Sequence, residues 1–153
     1  YYTGFNDQVN TILSTYGFGW HLEAGMQVIR MILAGVFEKF PNLKVISGHW
    51  GEIVPYYLPR LDQMFVPSIT GLQEKFSFYY KRNVYVTPSG VYDNDSLELC
   101  VKKLGIDHIL FSADFPYIPE DGARPFLENS PLSEEDKEKF GCKNAIKILH
   151  LTE

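Results

Sequence analysis

The chain has 153 residues, of which 45% are apolar, 15% aromatic and 22% charged. That apolar share excludes global disorder, because it offers enough surface to offset the entropy of ordering, and the length allows one domain of ordinary size. Lys and Arg number 14 against 19 Asp and Glu, a net charge of -5, which argues against nucleic acid or an anionic membrane as main partner.

The two cysteines, Cys100 and Cys142, are too few for a disulfide scaffold and lack metal-type CxxC spacing, so a reduced, cytoplasmic protein is expected. No apolar run reaches the roughly 18 residues that a membrane span needs, and no basic-then-apolar leader opens the chain. The sequence starts at Tyr1 rather than Met, and a piece of something longer is expected.

In chain order, a short helix is predicted around 7–16, followed by a Gly17-Phe18-Gly19-Trp20 loop. Val28, Ile29, Ile32, Leu33, Val36 and Phe37 form one helical stripe that Pro41 and Asn42 stop. Residues 43–47 read as a strand, 52–64 as a helix with Pro55 in its first turn, and 65–78 as loop with a short helix. A second strand is predicted at 83–87. Asp93 or Asn94 caps a helix that Gly105 stops, and residues 108–112 form a third strand. Ser133 then opens a helix, and 143–151 forms the last one. Strands alternating with helices indicate an α/β protein with parallel strands.

In such folds functional groups gather on the loops after the C-terminal ends of strands. Those loops are Gly48-His49-Trp50-Gly51-Glu52, Thr87-Pro88-Ser89-Gly90 and Ser112-Ala113-Asp114-Phe115-Pro116. An imidazole and a carboxylate on neighbouring strand ends, His49 and Asp114, can ligate one divalent cation or work as an acid/base pair. Glu52, placed at the start of the following helix, can accept a ring N–H of His49 and fix its tautomer. Each has a plainer use: packing for His49, a turn cap for Asp114, the helix macrodipole for Glu52. His21, beside Trp20 in a Gly-rich loop, can line a pocket or serve packing. His108 and Cys100 read as structural, and Cys142 has no neighbour that marks a nucleophile.

Residues 35–44 (Gly-Val-Phe-Glu-Lys-Phe-Pro-Asn-Leu-Lys) run into Ser47-Gly48-His49-Trp50-Gly51-Glu52, with Arg60-Leu61-Asp62 beyond. Together with the Phe111-Ser112-Ala113-Asp114-Phe115-Pro116-Tyr117 run and Pro131-Leu132-Ser133-Glu134-Glu135, this resembles the amidohydrolase-2 group of the metal-dependent amidohydrolase superfamily. That group includes aminocarboxymuconate-semialdehyde decarboxylase and the dihydroxybenzoate decarboxylases. The resemblance spans about residues 17–151 and implies part of a TIM (β/α)8 barrel. It implies His49 as acid/base at or near the metal, Asp114 as ligand of a divalent cation, usually zinc, and Glu52 as the partner of His49. Trp20, His21, Trp50 and Arg60 are the residues expected to meet substrate.

A complete barrel takes about 250 residues. By the order of its motifs this chain corresponds to the C-terminal portion, the last three strand–helix units, forming a single domain over 1–153. The group's first-strand Glu/His-x-His motif and its middle-strand histidine have no counterpart here, and His21 lies downstream of where the latter belongs. The expected function is the C-terminal half of a metal-dependent hydrolase or decarboxylase acting on a small carboxylic acid or amide. The competing expectation is a catalytically silent fragment or interaction domain. Self-association into a homo-oligomer would hide the edges and apolar face of an open parallel sheet. Zinc binding by the chain alone is expected to be weak or absent, since zinc sites take three or four protein ligands.

Overall fold

In a computed structural model of the chain, residues 3–151 are described. Helix α1 (Asp7–Ser14) is capped by Asn6, whose side chain accepts the Val9 amide at 2.9 Å. Helix α2 (Gly19–Leu33) begins inside the stretch expected to be loop. Gly17 lies in the turn over 15–18 that joins α1 to α2, whereas Gly19 already belongs to α2 and serves close packing: a β-carbon there would lie 2.2 Å from the Ser14 carbonyl oxygen. Gly25, Val28 and Ile32 form the buried face of α2. Gly35, at φ 71°, separates α2 from the short α3 (Val36–Lys39).

Strand β1 (Val45–Ser47) follows, then a tight turn described below, then α4 (Val54–Met64). Pro55 sits in the first turn of α4, as expected, and the helix continues past Pro59. After α5 (Pro67–Thr70), α6 (Phe76–Asn83) runs without a break into β2 (Val84–Val86). Helix α7 (Asn94–Leu104) takes its cap from Asp93, which accepts the Ser96 amide at 2.8 Å. The chain ends in α8 (Ala123–Glu128), α9 (Glu134–Glu138), a π-type turn over Lys139–Lys143 and α10 (Asn144–Leu149).

Strands β1 and β2 pair in parallel, with Val45 opposite Val84 and Ser47 opposite Val86. The predicted third strand shrinks to a bridge: Ile109 pairs with Val86, and the Leu110 amide donates to the Val86 carbonyl at 2.9 Å. Its expected first residue, His108, belongs instead to a 3-10 turn. There its Nδ1 donates to the Val84 carbonyl and its ring stacks on Tyr85. Three extended segments still lie side by side and parallel, so the loops that follow them emerge on one edge. The core beneath includes Ile32, Phe37, Phe76, Tyr80, Val84, Leu97, Ile109 and Phe140, each at most 1% exposed. Among the described residues, no helix is long and apolar enough to cross a membrane.

Candidate functional site

The loop after β1 is the most strained part of the backbone. From His49 to Ile53 every residue has positive φ: 44°, 56°, 76°, 54° and 71°. An L-residue in this left-handed region costs about 1–2 kcal/mol, and four of the five carry side chains. Gly51 is the exception, and a β-carbon there would lie 2.5 Å from the Tyr80 hydroxyl. The Gly51 amide closes the turn on the Gly48 carbonyl at 2.7 Å, and the Trp50 amide ties it to the Thr87 carbonyl at 2.8 Å. Such strain persists only where the surroundings over-determine it, and it clusters at functional sites. Glu52 therefore does not open a right-handed helix, as the sequence suggested; it lies inside a left-handed turn that Ile53 closes, and α4 begins at Val54.

This turn places Glu52 inside the protein, at 7% exposure. Its Oε1 lies 2.9 Å from His49 Nδ1 and its Oε2 lies 2.8 Å from His21 Nδ1. The two imidazoles meet edge to face, ring centres 4.4 Å apart. His21 Nε2 donates to the Tyr16 carbonyl at 2.8 Å. On the far side of the other ring, His49 Nε2 lies 4.0 Å from Asp114 Oδ2. The hydrogen bond to Glu52 holds the His49 imidazole above the usual value of 6.5; partial burial opposes this, and the Glu52 and Asp114 charges add to it.

Asp114 arrives from the third extended segment. Gly90, at φ 84°, leaves room for it, since a β-carbon there would lie 2.9 Å from the Asp114 Cβ. Hydroxyls link the strand ends: Thr87 and Ser89 are 2.9 Å apart, and the Ser89 amide donates to the Ser112 hydroxyl at 3.2 Å. These hydroxyls had no assigned part in the sequence analysis, although all three close a strand or the loop after one.

The structure thus brings together His21, His49, Glu52 and Asp114. The other expected substrate contacts lie apart. Trp20 is 60% exposed, with its ring edge-on to Tyr16. The Trp50 ring turns inward against Phe126 and Phe140, and its Nε1 donates to the Val91 carbonyl at 2.7 Å. Arg60 is exposed on α4 and joins no hydrogen bond or ion pair of the site among the described residues.

Two groupings could hold a cation. His21, His49 and Glu52 offer ligand atoms within 4.8 Å of one another. However, each imidazole there sits at hydrogen-bond distance from the carboxylate, which leaves no room for an ion between them without rearrangement. The 4.0 Å gap between His49 Nε2 and Asp114 Oδ2 is different. It is too long for a hydrogen bond, so Asp114 is free to bind an ion while Nε2 stays open for a proton; one ion bound by both atoms would need them to draw closer together.

The amidohydrolase family model matches residues 3–151, and the chain belongs to that family. It is 34% identical over 142 residues to gamma-resorcylate decarboxylase from Polaromonas sp., covering 90% of this chain and 43% of that protein. A Staphylococcus aureus crystal structure described as an amidohydrolase superposes with a TM-score of 0.93 at 37% identity, covering 99% of this chain and 49% of the other. The dihydroxybenzoic acid decarboxylase of Polaromonas sp., crystallised with manganese and 2-nitroresorcinol, superposes at 0.85 with 28% identity, covering 98% and 48%. The chain thus spans less than half the length of these relatives. Its α/β architecture, with few strands and many helices, fits part of a barrel.

Proposed function

We propose that this member of the amidohydrolase family forms the C-terminal share of a (β/α)8 barrel, residues 1–153 being one domain, and takes part in decarboxylating a small aromatic acid. The observation that carries this reading is the approach of His49 Nε2 to Asp114, while the opposite nitrogen of the same ring is held by a buried carboxylate. Asp114 would hold a divalent cation, with further ligands from outside this chain, and that ion would polarise the oxygens of the substrate. Manganese in a relative favours a hard divalent ion on such N/O donors, and zinc fits the same donor set.

His49 stands as the acid/base group. The bond between ring carbon and carboxyl breaks, its electron pair stays on the carbon, and CO2 leaves. The protonated His49 ring then gives its Nε2 proton to that carbon in the carboxyl's place and is left neutral, with its remaining proton on Nδ1. Glu52 keeps the proton of His49 on Nδ1 when the ring is neutral, so that Nε2 faces the reacting carbon. The relatives support an aromatic acid over an amide as substrate, and the two unpaired cysteines suit the cytoplasm.

The test is release of CO2 and resorcinol from 2,6-dihydroxybenzoate by the polypeptide containing this chain, supplied with Mn²⁺ or Zn²⁺. Replacing His49 by Asn should slow turnover by about 100-fold or more, and Asp114→Asn should lower metal content. Undiminished turnover in the His49 variant would remove that residue from the mechanism.

A second reading has its own support. Ile46 in β1 is 45% exposed, and Phe18, Leu22, Met26 and Tyr57 are exposed around a groove of about 300 Å³. These surfaces favour self-association, a silent homo-oligomer being the extreme case. Light scattering that returns a monomer at high micromolar concentration would end that reading.

A further inference from the structure

We propose that His21 is a positioning residue: it fixes the Glu52 carboxylate, and through it holds His49 in the one tautomer that leaves Nε2 open toward Asp114. The geometry is a single relay, running from the Tyr16 carbonyl through His21, Glu52 and His49 to Asp114. Its functional consequence rests on the reading of His49 as the acid/base group; its geometry does not.

A buried carboxylate needs partners for both oxygens, because an unpaired one forfeits its hydration without return. Oε1 takes the His49 Nδ1–H, and Oε2 shares a proton with His21 Nδ1. Among the described residues, no other side chain reaches Oε2. The far end of the relay fixes one proton. A carbonyl only accepts, so the Tyr16 oxygen obliges His21 Nε2 to be a donor, and the Nδ1–Oε2 contact then needs a second proton, carried on one of those two atoms. With His21 gone, the carboxylate is free to rotate about its last torsion, and the proton of His49 is free to occupy either ring nitrogen.

The backbone of Glu52 is held from the same side. Gly25 lies one helical turn beyond His21 on the same face of α2, and its bare Cα meets the backbone of the very residue whose side chain His21 holds. A β-carbon on Gly25 would lie 2.7 Å from the Glu52 carbonyl oxygen and 3.2 Å from its Cβ. One face of α2 therefore grips Glu52 twice, by main chain and by carboxylate.

The experiment is long-range 1H–15N NMR of the labelled chain in chelator, with His49 assigned through His49→Asn. In the unaltered chain the neutral His49 ring should carry its proton on Nδ1. His21→Phe should produce a mixture with Nε2 protonated, and His21→Gln, whose amide can donate to the carboxylate, should restore the Nδ1 form. In the metal-loaded enzyme His21→Phe should lower kcat by about 10–100-fold with little change in KM, again with recovery in His21→Gln. A His49 proton on Nε2 in the unaltered chain overturns the proposal without any variant. So does an unchanged tautomer in folded His21→Phe. Failure of the decarboxylase assay would count against the proposed reaction and leave the tautomer result standing.

Discussion

Gly25 and Glu52 are in contact main chain to main chain, with no space for a methyl group between them. Alanine is the better helix former by about 1 kcal/mol, yet Gly25→Ala should destabilise the chain. The added carbon meets backbone, which cannot swing aside, and overpacking of this kind costs about 1–3 kcal/mol. Urea denaturation gives the answer. A variant as stable as its parent would mean that α2 slides freely over the strained turn.

Asn144 ties the end of the chain to the segment that leads to Asp114. Its Nδ2 donates to the Ile106 and Ile109 carbonyls, both at 2.8 Å, from a side chain that is buried. Asn144→Ala strips the Ile109 carbonyl of that donor and should cost about 1–3 kcal/mol. The measurement is the denaturation midpoint, and no shift would show that water replaces the amide.

Glu38 on α3 gives an acid-sensitive tie. The Gln73 amide and the Tyr79 hydroxyl both donate to its carboxylate, and with the nearby Arg82 charge they hold the carboxyl below its ordinary value of 4.5. A carboxyl depressed in the folded state contributes stability above its unfolded value and loses it as pH falls through the folded one. Replacing Glu38 by Gln should therefore flatten the loss of stability below about pH 5. Parallel curves of melting temperature against pH for the two proteins would refute this.

The two thiols should differ sharply. Burial pushes Cys100 up to about 12, and it is 1% exposed, whereas Cys142 is exposed. A disulfide reagent should titrate one thiol in the native chain and both in urea, and Cys142→Ser should abolish the native reaction. Rapid labelling of Cys100 in the native state would mean that the core around Trp50 opens.

Much of this was legible in the residues. Strand-end position alone put His49 and Asp114 on one edge, since parallel segments deliver their loops to the same side. The Asp93 cap and the Gly105 stop follow from local chemistry. His21 was misplaced because residues 17–20 read as one loop, when only Gly17 and Phe18 lie in the turn and Gly19 lets the start of α2 approach α1 closely. The buried series Gly25, Val28 and Ile32, extended back by one turn, arrives at position 21 and was the available signal. The turn from His49 to Ile53 left no such trace, because only Gly51 advertises a left-handed backbone. The third strand faded because pairing beyond Val86 and Ile109 depends on tertiary neighbours rather than on β-branched content.

That wound loop also bears on how the motif travels. A peptide spanning residues 45–55, excised and dissolved, would unwind at once, since nothing in its own letters rewards five successive left-handed residues. Grafting the histidine and the glutamate into another scaffold would meet the same fate unless α2, the Thr87 carbonyl and the wall beneath Gly51 came with them. What is heritable here is a docking arrangement, and homologues that keep the letters while losing the contacts would keep only a resemblance.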